Sequence, residues 1–171
     1  MYSSFARKIF EAQTSQDVST EINALKEKLR KRKPAIDEFK VAFKQLCFTN
    51  NRSKQKHLVR YILRKFSEHY SYRYSSDYDD LTIEHIQPQS SIGNDNWTEE
   101  TVGMLGNLIF IEEKINGMLG EKSYTDKIAQ LKSEGCSIPS FLETQESWTA
   151  ESISEHTDSM AEIAYNTIWD I

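Results

Sequence analysis

Cysteine is scarce. The 171-residue chain has two, Cys47 and Cys136. Two thiols outside any Cys-x-x-Cys pair cannot build a four-ligand zinc site, so no structural zinc is expected. Long apolar runs are missing too: the longest, residues 108–111, has four residues, where a membrane-spanning helix needs about 20. With a mean hydropathy of −0.63, no membrane contact is predicted. No apolar stretch of signal-peptide type follows Met1, and no glycine-rich loop of the phosphate-cradling kind appears, so nucleotide hydrolysis by this chain is not expected. These absences predict a reduced, cytoplasmic protein. The length suits one domain without covalent staples, since a chain this long buries about 70% of its unfolded surface.

Basic residues are scarce in one half only. The formal net charge is −5, from 21 Lys+Arg and 26 Asp+Glu. Residues 1–73 hold 17 of the basic side chains and 7 of the acidic ones, a net +10; residues 74–171 hold 4 and 19, a net −15. The whole-chain charge argues against a polyanionic partner, whereas the basic half makes one plausible.

Apolar periodicity predicts helices through the first half. Val18, Ile22, Leu25 and Leu29 form one stripe, which runs into Arg30-Lys31-Arg32-Lys33 and stops at Pro34. Ile36, Phe39, Phe43 and Leu46 form a second, and Leu58, Tyr61, Ile62 and Phe66 a third. Residues 81–86 read as a short strand, residues 87–103 as a long irregular segment, and residues 105–111 as a second strand. Helices are predicted from Glu112, over residues 124–134 up to Gly135, and over residues 149–169 with Ile153, Met160, Ile163, Ala164 and Ile168 inward. The fold class expected is mainly α with a small β-hairpin. The organisation expected is a basic helical lead-in over 1–73, a central unit over 74–135 and a closing helix over 136–171, together one compact domain.

One cluster carries candidate chemistry: Glu84-His85-Ile86-Gln87-Pro88, then Gly106-Asn107-Leu108, then Asn116. Each piece alone fits an ordinary structural role. Together they meet the needs of phosphodiester hydrolysis. A neutral imidazole can take the proton of the attacking water. A carboxylate and an amide carbonyl are oxygen ligands for a hard divalent cation that stabilises the leaving oxygen. Neighbouring residues on a strand point to opposite faces, so Glu84 and His85 need a strand end to flank one phosphate, and Pro88 supports such a break.

The run Leu81-Thr82-Ile83-Glu84-His85-Ile86-Gln87-Pro88-Gln89, with Leu105-Gly106-Asn107-Leu108 and Asn116, resembles the HNH (ββα-metal) nuclease superfamily. Within it the chain is most similar to the DUF1524 branch, found C-terminal to DUF262 in modification-dependent (type IV-like) restriction and phage-defence proteins. The flanks Pro34-x-x-Asp37-Glu38-Phe39, Tyr61-Ile62-Leu63, Lys122-Ser123-Tyr124-x-x-Lys127 and Trp148-Thr149 onward to Trp169 resemble that domain's surrounding helices.

The resemblance implies a ββα-metal core embedded in helices and a metal-dependent DNA endonuclease of a restriction system acting on modified or foreign DNA. It implies one Mg²⁺ or Mn²⁺ as cofactor, and as partners double-stranded DNA and a DUF262-type NTPase domain or subunit. His85 would be the general base, Asn107 would hold its ring, and Glu84 and Asn116 would bind the metal. Lys122 and Lys127 are expected to contact phosphate, with Arg60 and Arg64 on a basic helix along the DNA. His156 stands where the family commonly has Arg, and its place on the stripe of the last helix predicts a packed residue. The competing readings are a non-catalytic helical DNA-binding or interaction domain, and a ribonuclease using the same metal chemistry.

Overall fold

A computed structural model describes residues 2–171. It is mainly helical, with one two-stranded antiparallel sheet. The helices are α1 (Tyr2–Glu11), α2 (Ser15–Arg30), α3 (Ile36–Lys44), α4 (Lys56–His69), α5 (Glu99–Gly103), α6 (Glu113–Leu119), α7 (Tyr124–Ser133), α8 (Ser140–Thr144) and α9 (Ala150–Ile163). The strands are β1 (Leu81–His85) and β2 (Leu108–Glu112), paired so that Glu84 faces Ile109 and His85 faces Leu108. Among the described residues no helix is long and apolar enough to cross a membrane.

The sheet separates two cores, which explains why residues 108–111 are apolar without alternation: both faces of β2 are covered. Leu81, Leu108 and Phe110 point to one side, against Val59, Ile62 and Leu63 of α4, Phe43 of α3 and Met160 of α9. Ile109 and Ile111 point to the other, with Leu119 of α6, Leu131 of α7, Leu142 of α8 and Ile153 of α9. Each aliphatic side chain fully buried in this way contributes about 1.5–3 kcal/mol. Alternation along β1 then puts Thr82 and Glu84 on the face covered by α6 and α7, and His85 on the face covered by α4.

Several boundaries agree with the sequence reading, and several stripes differ. α4 buries Val59 and Leu63 beside Ile62 and Phe66, while Leu58 and Tyr61 stay exposed. The inward face is rotated by about one residue because α4 packs on β2 as well as on the turn at residues 164–168. α2 buries none of its residues; its stripe packs on α1, which the periodicity did not predict, and the hairpin they form stands at the edge of the molecule. The segment 87–103 contains a 3-10 turn at Gln89–Ser91 and α5, and residues 105–107 form a second 3-10 turn ahead of β2. α9 ends in a π-helical turn at Ala164–Ile168.

The approach of the 105–107 turn to α9 requires glycine. A Cβ on Gly106 would stand 2.5 Å from the Ile153 carbonyl oxygen and 2.8 Å from the Thr157 nitrogen, both rigid backbone. A Cβ on Gly117, within α6, would meet nothing within 4 Å. Gly106→Ala is therefore expected to cost about 1–3 kcal/mol in urea unfolding, as overpacking does. Gly117→Ala is expected to gain about 0.5–1 kcal/mol through helix propensity. Equal effects from the two substitutions would contradict this packing.

Candidate active site

His85 closes β1 and is 5% exposed. Its Nε2 lies 2.8 Å from the Phe48 carbonyl oxygen. A carbonyl can only accept, so Nε2 carries the proton and Nδ1 keeps its lone pair. Nδ1 faces the Gln89 amide nitrogen at a long 3.4 Å. The Phe48 ring stacks on the imidazole with centroids 5.9 Å apart. Burial is the main cause holding the His85 pKa below the usual histidine value; the Phe48 carbonyl opposes it and the nearby Lys127 charge adds to it. The ring is thus neutral at pH 7, in the tautomer whose free nitrogen can accept a proton.

Glu84, on the opposite face, is 6% exposed and meets Lys127 of α7, whose ammonium is 2.5 Å from Oε1. The same ammonium donates to the His85 carbonyl oxygen at 2.7 Å. Lys127 has no exposed surface, so the phosphate contact expected of it is corrected: it is an internal brace between α7 and the last two residues of β1. Burial raises the Glu84 pKa, and the hydrogen bond and charge of Lys127 pull against that rise.

Asn107 is fully buried, and all four of its side-chain hydrogen-bonding positions are used. Oδ1 accepts from the Gln87 N–H at 2.7 Å and the Trp148 indole at 2.9 Å. Nδ2 donates to the carbonyls of Gln87 at 3.0 Å and Val102 at 2.7 Å. No acceptor remains for the imidazole, so the expected direct hold on His85 is corrected: Asn107 pins the backbone two residues beyond His85. The direct holds come from Phe48 and Gln89. Gln89 was visible only as part of the motif run, and an apolar residue such as Phe48 gives no sequence signal when it acts through its carbonyl.

Asn116, on α6, donates through Nδ2 to the Thr82 hydroxyl at 2.9 Å. This leaves its Oδ1 as an acceptor on the face of β1 that also carries Glu84. Among the described residues no three His, Cys, Asp or Glu side chains cluster as a ligand group. A cation here would draw on one carboxylate, one amide oxygen, and water or substrate oxygens. Mg²⁺ commonly takes sparse all-oxygen sets that leave room for waters and phosphates; here the carboxylate is also engaged by the Lys127 ammonium.

The remaining candidates separate. Arg60 is spent on the carbonyls of Leu81 and Tyr78, each at 2.7 Å, and of Asp79 at 3.2 Å. Its expected role along DNA is therefore corrected to bracing β1 against α4. Arg64 is exposed and paired with Glu68 at 2.8 Å. Lys122 is exposed, with the Gln130 amide oxygen at 3.4 Å. His156 is buried as expected, 2.7 Å from the Gly106 carbonyl and stacked on Phe141. Burial holds its pKa down.

Removing Lys127 leaves Glu84 buried without a counter-charge, which is expected to cost about 3–5 kcal/mol. Lys127→Met should therefore destabilise strongly in urea, and Lys127→Met/Glu84→Gln should recover a large part of the loss. Additive losses in that double-mutant cycle would contradict direct coupling. His85 and His156 both have folded-state pKa values below the ordinary 6.5. The unfolded chain binds more protons below that value, so their stabilising contribution is whole above pH 6.5 and is lost as pH falls towards the folded values. The urea midpoint should hold between pH 8 and 7 and decline from pH 6.5 downward; a midpoint unchanged at pH 5.5 would contradict it.

A family model described as GmrSD restriction endonucleases, C-terminal domain, matches residues 33–163. The match takes in α3 to α9 and leaves the α1–α2 hairpin ahead of it. Comparison with curated proteins gives no match. With both strands, the four motif residues and Lys127 inside the matched region, the chain belongs to the family of GmrSD restriction endonuclease C-terminal domains.

Proposed function

We propose that the chain is a metal-dependent HNH-type DNA endonuclease domain, with β1, β2 and α6 as its ββα-metal unit. The observation that carries the reading is the state of His85: neutral, with Nε2 committed to the Phe48 carbonyl and Nδ1 facing only a long amide contact. In this reading Nδ1 takes the proton of the attacking water as the Gln89 side chain gives way to substrate. Phe48 and Asn107 fix the ring and the strand end, so the imidazole needs no reorientation as it becomes charged. Glu84 and Asn116 would hold Mg²⁺ or Mn²⁺, which supplies positive charge to the scissile phosphate and the leaving oxygen. The Lys127 charge keeps the Glu84 carboxylate compatible with burial. The family supports placing this activity in restriction. A modified or foreign DNA target, and a DUF262-type NTPase domain or subunit that controls cutting, belong to the same proposal.

Nicking of supercoiled plasmid with Mg²⁺ or Mn²⁺, with and without chelator, tests it. His85→Ala should lower the rate by at least about 10²-fold, and added metal should not restore it. Glu84→Gln and Asn116→Ala should instead raise the metal concentration needed. Undiminished cutting by His85→Ala would overturn the assignment of the base.

A further inference from the structure

The charge that could hold a polyanion is distributed differently from the +10 of the first half. Lys33, Lys40 and Lys44 pair with Asp170, Glu162 and Asp158 at 2.9, 2.5 and 2.6 Å. The basic face of α3 is thereby neutralised by α9 and the residues that follow it. Lys127 and Arg60 are spent inside the fold, and Arg64 and Lys65 both pair with Glu68. An exposed pair of cations lies on the segment from Asn50 into the first turn of α4, Lys54 and Lys56, while Lys114 and Lys122 are exposed in the second half of the chain. Among the described residues neither Lys54 nor Lys56 has a carboxylate within ion-pair distance.

This segment is built onto the site. Phe48 at its start supplies the carbonyl and ring that hold His85. The Asn50 N–H donates to the Gln89 side-chain oxygen at 2.8 Å, and the same side chain faces His85 Nδ1. Gln55 closes the loop by accepting from the Cys47 N–H at 3.1 Å. The Lys56 ammonium stands 5.9 Å from the centre of the Phe48 ring, which itself stacks on His85. The Lys56 ammonium is thus held beside the ring that stacks on the imidazole, with Lys54 two residues before it in the same loop.

We propose that Lys54 and Lys56 form the phosphate grip of this site, contacting the DNA backbone next to the phosphate presented to His85. The proposal rests on the nuclease reading for the identity of the polyanion, but it concerns binding, which is measured without cutting. Apart from the divalent cation, a neutral imidazole and a carboxylate already balanced by Lys127 bring no net attraction for phosphate. The protein's own attraction then falls to cations that are free, and these two lysines, on the loop that holds His85, are free. They have flexible point charges suited to backbone contacts rather than base reading.

Duplex binding by the full chain, followed by fluorescence anisotropy across a salt series, tests it. Lys54→Gln/Lys56→Gln should weaken binding and flatten the slope of log affinity against log salt by about 0.9 per lysine. Lys54→Arg/Lys56→Arg should keep the slope. Lys31→Gln/Arg32→Gln, equal in charge removed but at the distant end of α2, should leave it unchanged. An unchanged slope in the Lys54/Lys56 pair, an equal loss in the distant pair, or no duplex binding at 50 mM salt would overturn the proposal. Binding that depends on these lysines, with no nicking under any divalent metal, would uphold the grip and sink the nuclease reading. Metal-dependent nicking with a salt slope indifferent to the lysines would do the reverse.

Discussion

The Lys127 ammonium holds the end of β1 by two groups at once, the Glu84 carboxylate and the His85 carbonyl. Taking either charge out of water alone would cost several kcal/mol, recovered only when the partner is held at close range. That requirement fixes α7 against the sheet, and α7 in turn covers the face on which Asn116 and Thr82 meet. Burial is the main cause that keeps the His85 ring neutral, and the same nearby charge adds to it. A residue with no surface therefore governs the placement of the groups around it.

Three further devices finish the positioning, and they work by different means. Asn107 uses every polar atom it has to tie residue 87 to the 102 carbonyl and to Trp148, which stops the strand immediately after His85. Phe48 uses its carbonyl to choose the tautomer. Gly106 uses the absence of a side chain to let the turn before β2 sit directly on α9. Each ties a segment distant in sequence to the same few residues, so the site is rigid although most of it lies on strand ends and turns.

Much of the helical layout was legible because its signals are local. Pro34, Gly135 and the apolar stripes of α3 and α9 mark elements by spacing alone. The four motif residues were legible as a set because their chemistry is unusual together. The roles of Lys127, Arg60 and Asn107 were not, since a cation or amide written in sequence has the same appearance whether it meets phosphate, a buried carboxylate or a carbonyl. The decision was made by tertiary packing: α7 delivers Lys127 under β1, and Arg60 projects from α4 onto the three carbonyls that lead into it. The buried stripe of α4 departs from its periodicity for a related reason, because a helix that packs on a sheet and a helix together buries a wider arc than one periodicity count selects.

The division of charge along the chain also means something different in three dimensions. Three lysines of the basic half sit against three acids of the last segment, so the excess of each half is partly consumed where they touch. At physiological ionic strength, exposed charges more than about 8 Å apart are largely screened. The net −5 therefore says little about whether a polyanion can approach a particular patch. What decides is the local inventory of cations not already paired, and the loop that also carries the carbonyl holding His85 contributes Lys54 and Lys56 to it. Attraction and chemistry are then coupled by one short stretch of backbone: a movement of residues 48–56 would change the grip on phosphate and the orientation of the imidazole together.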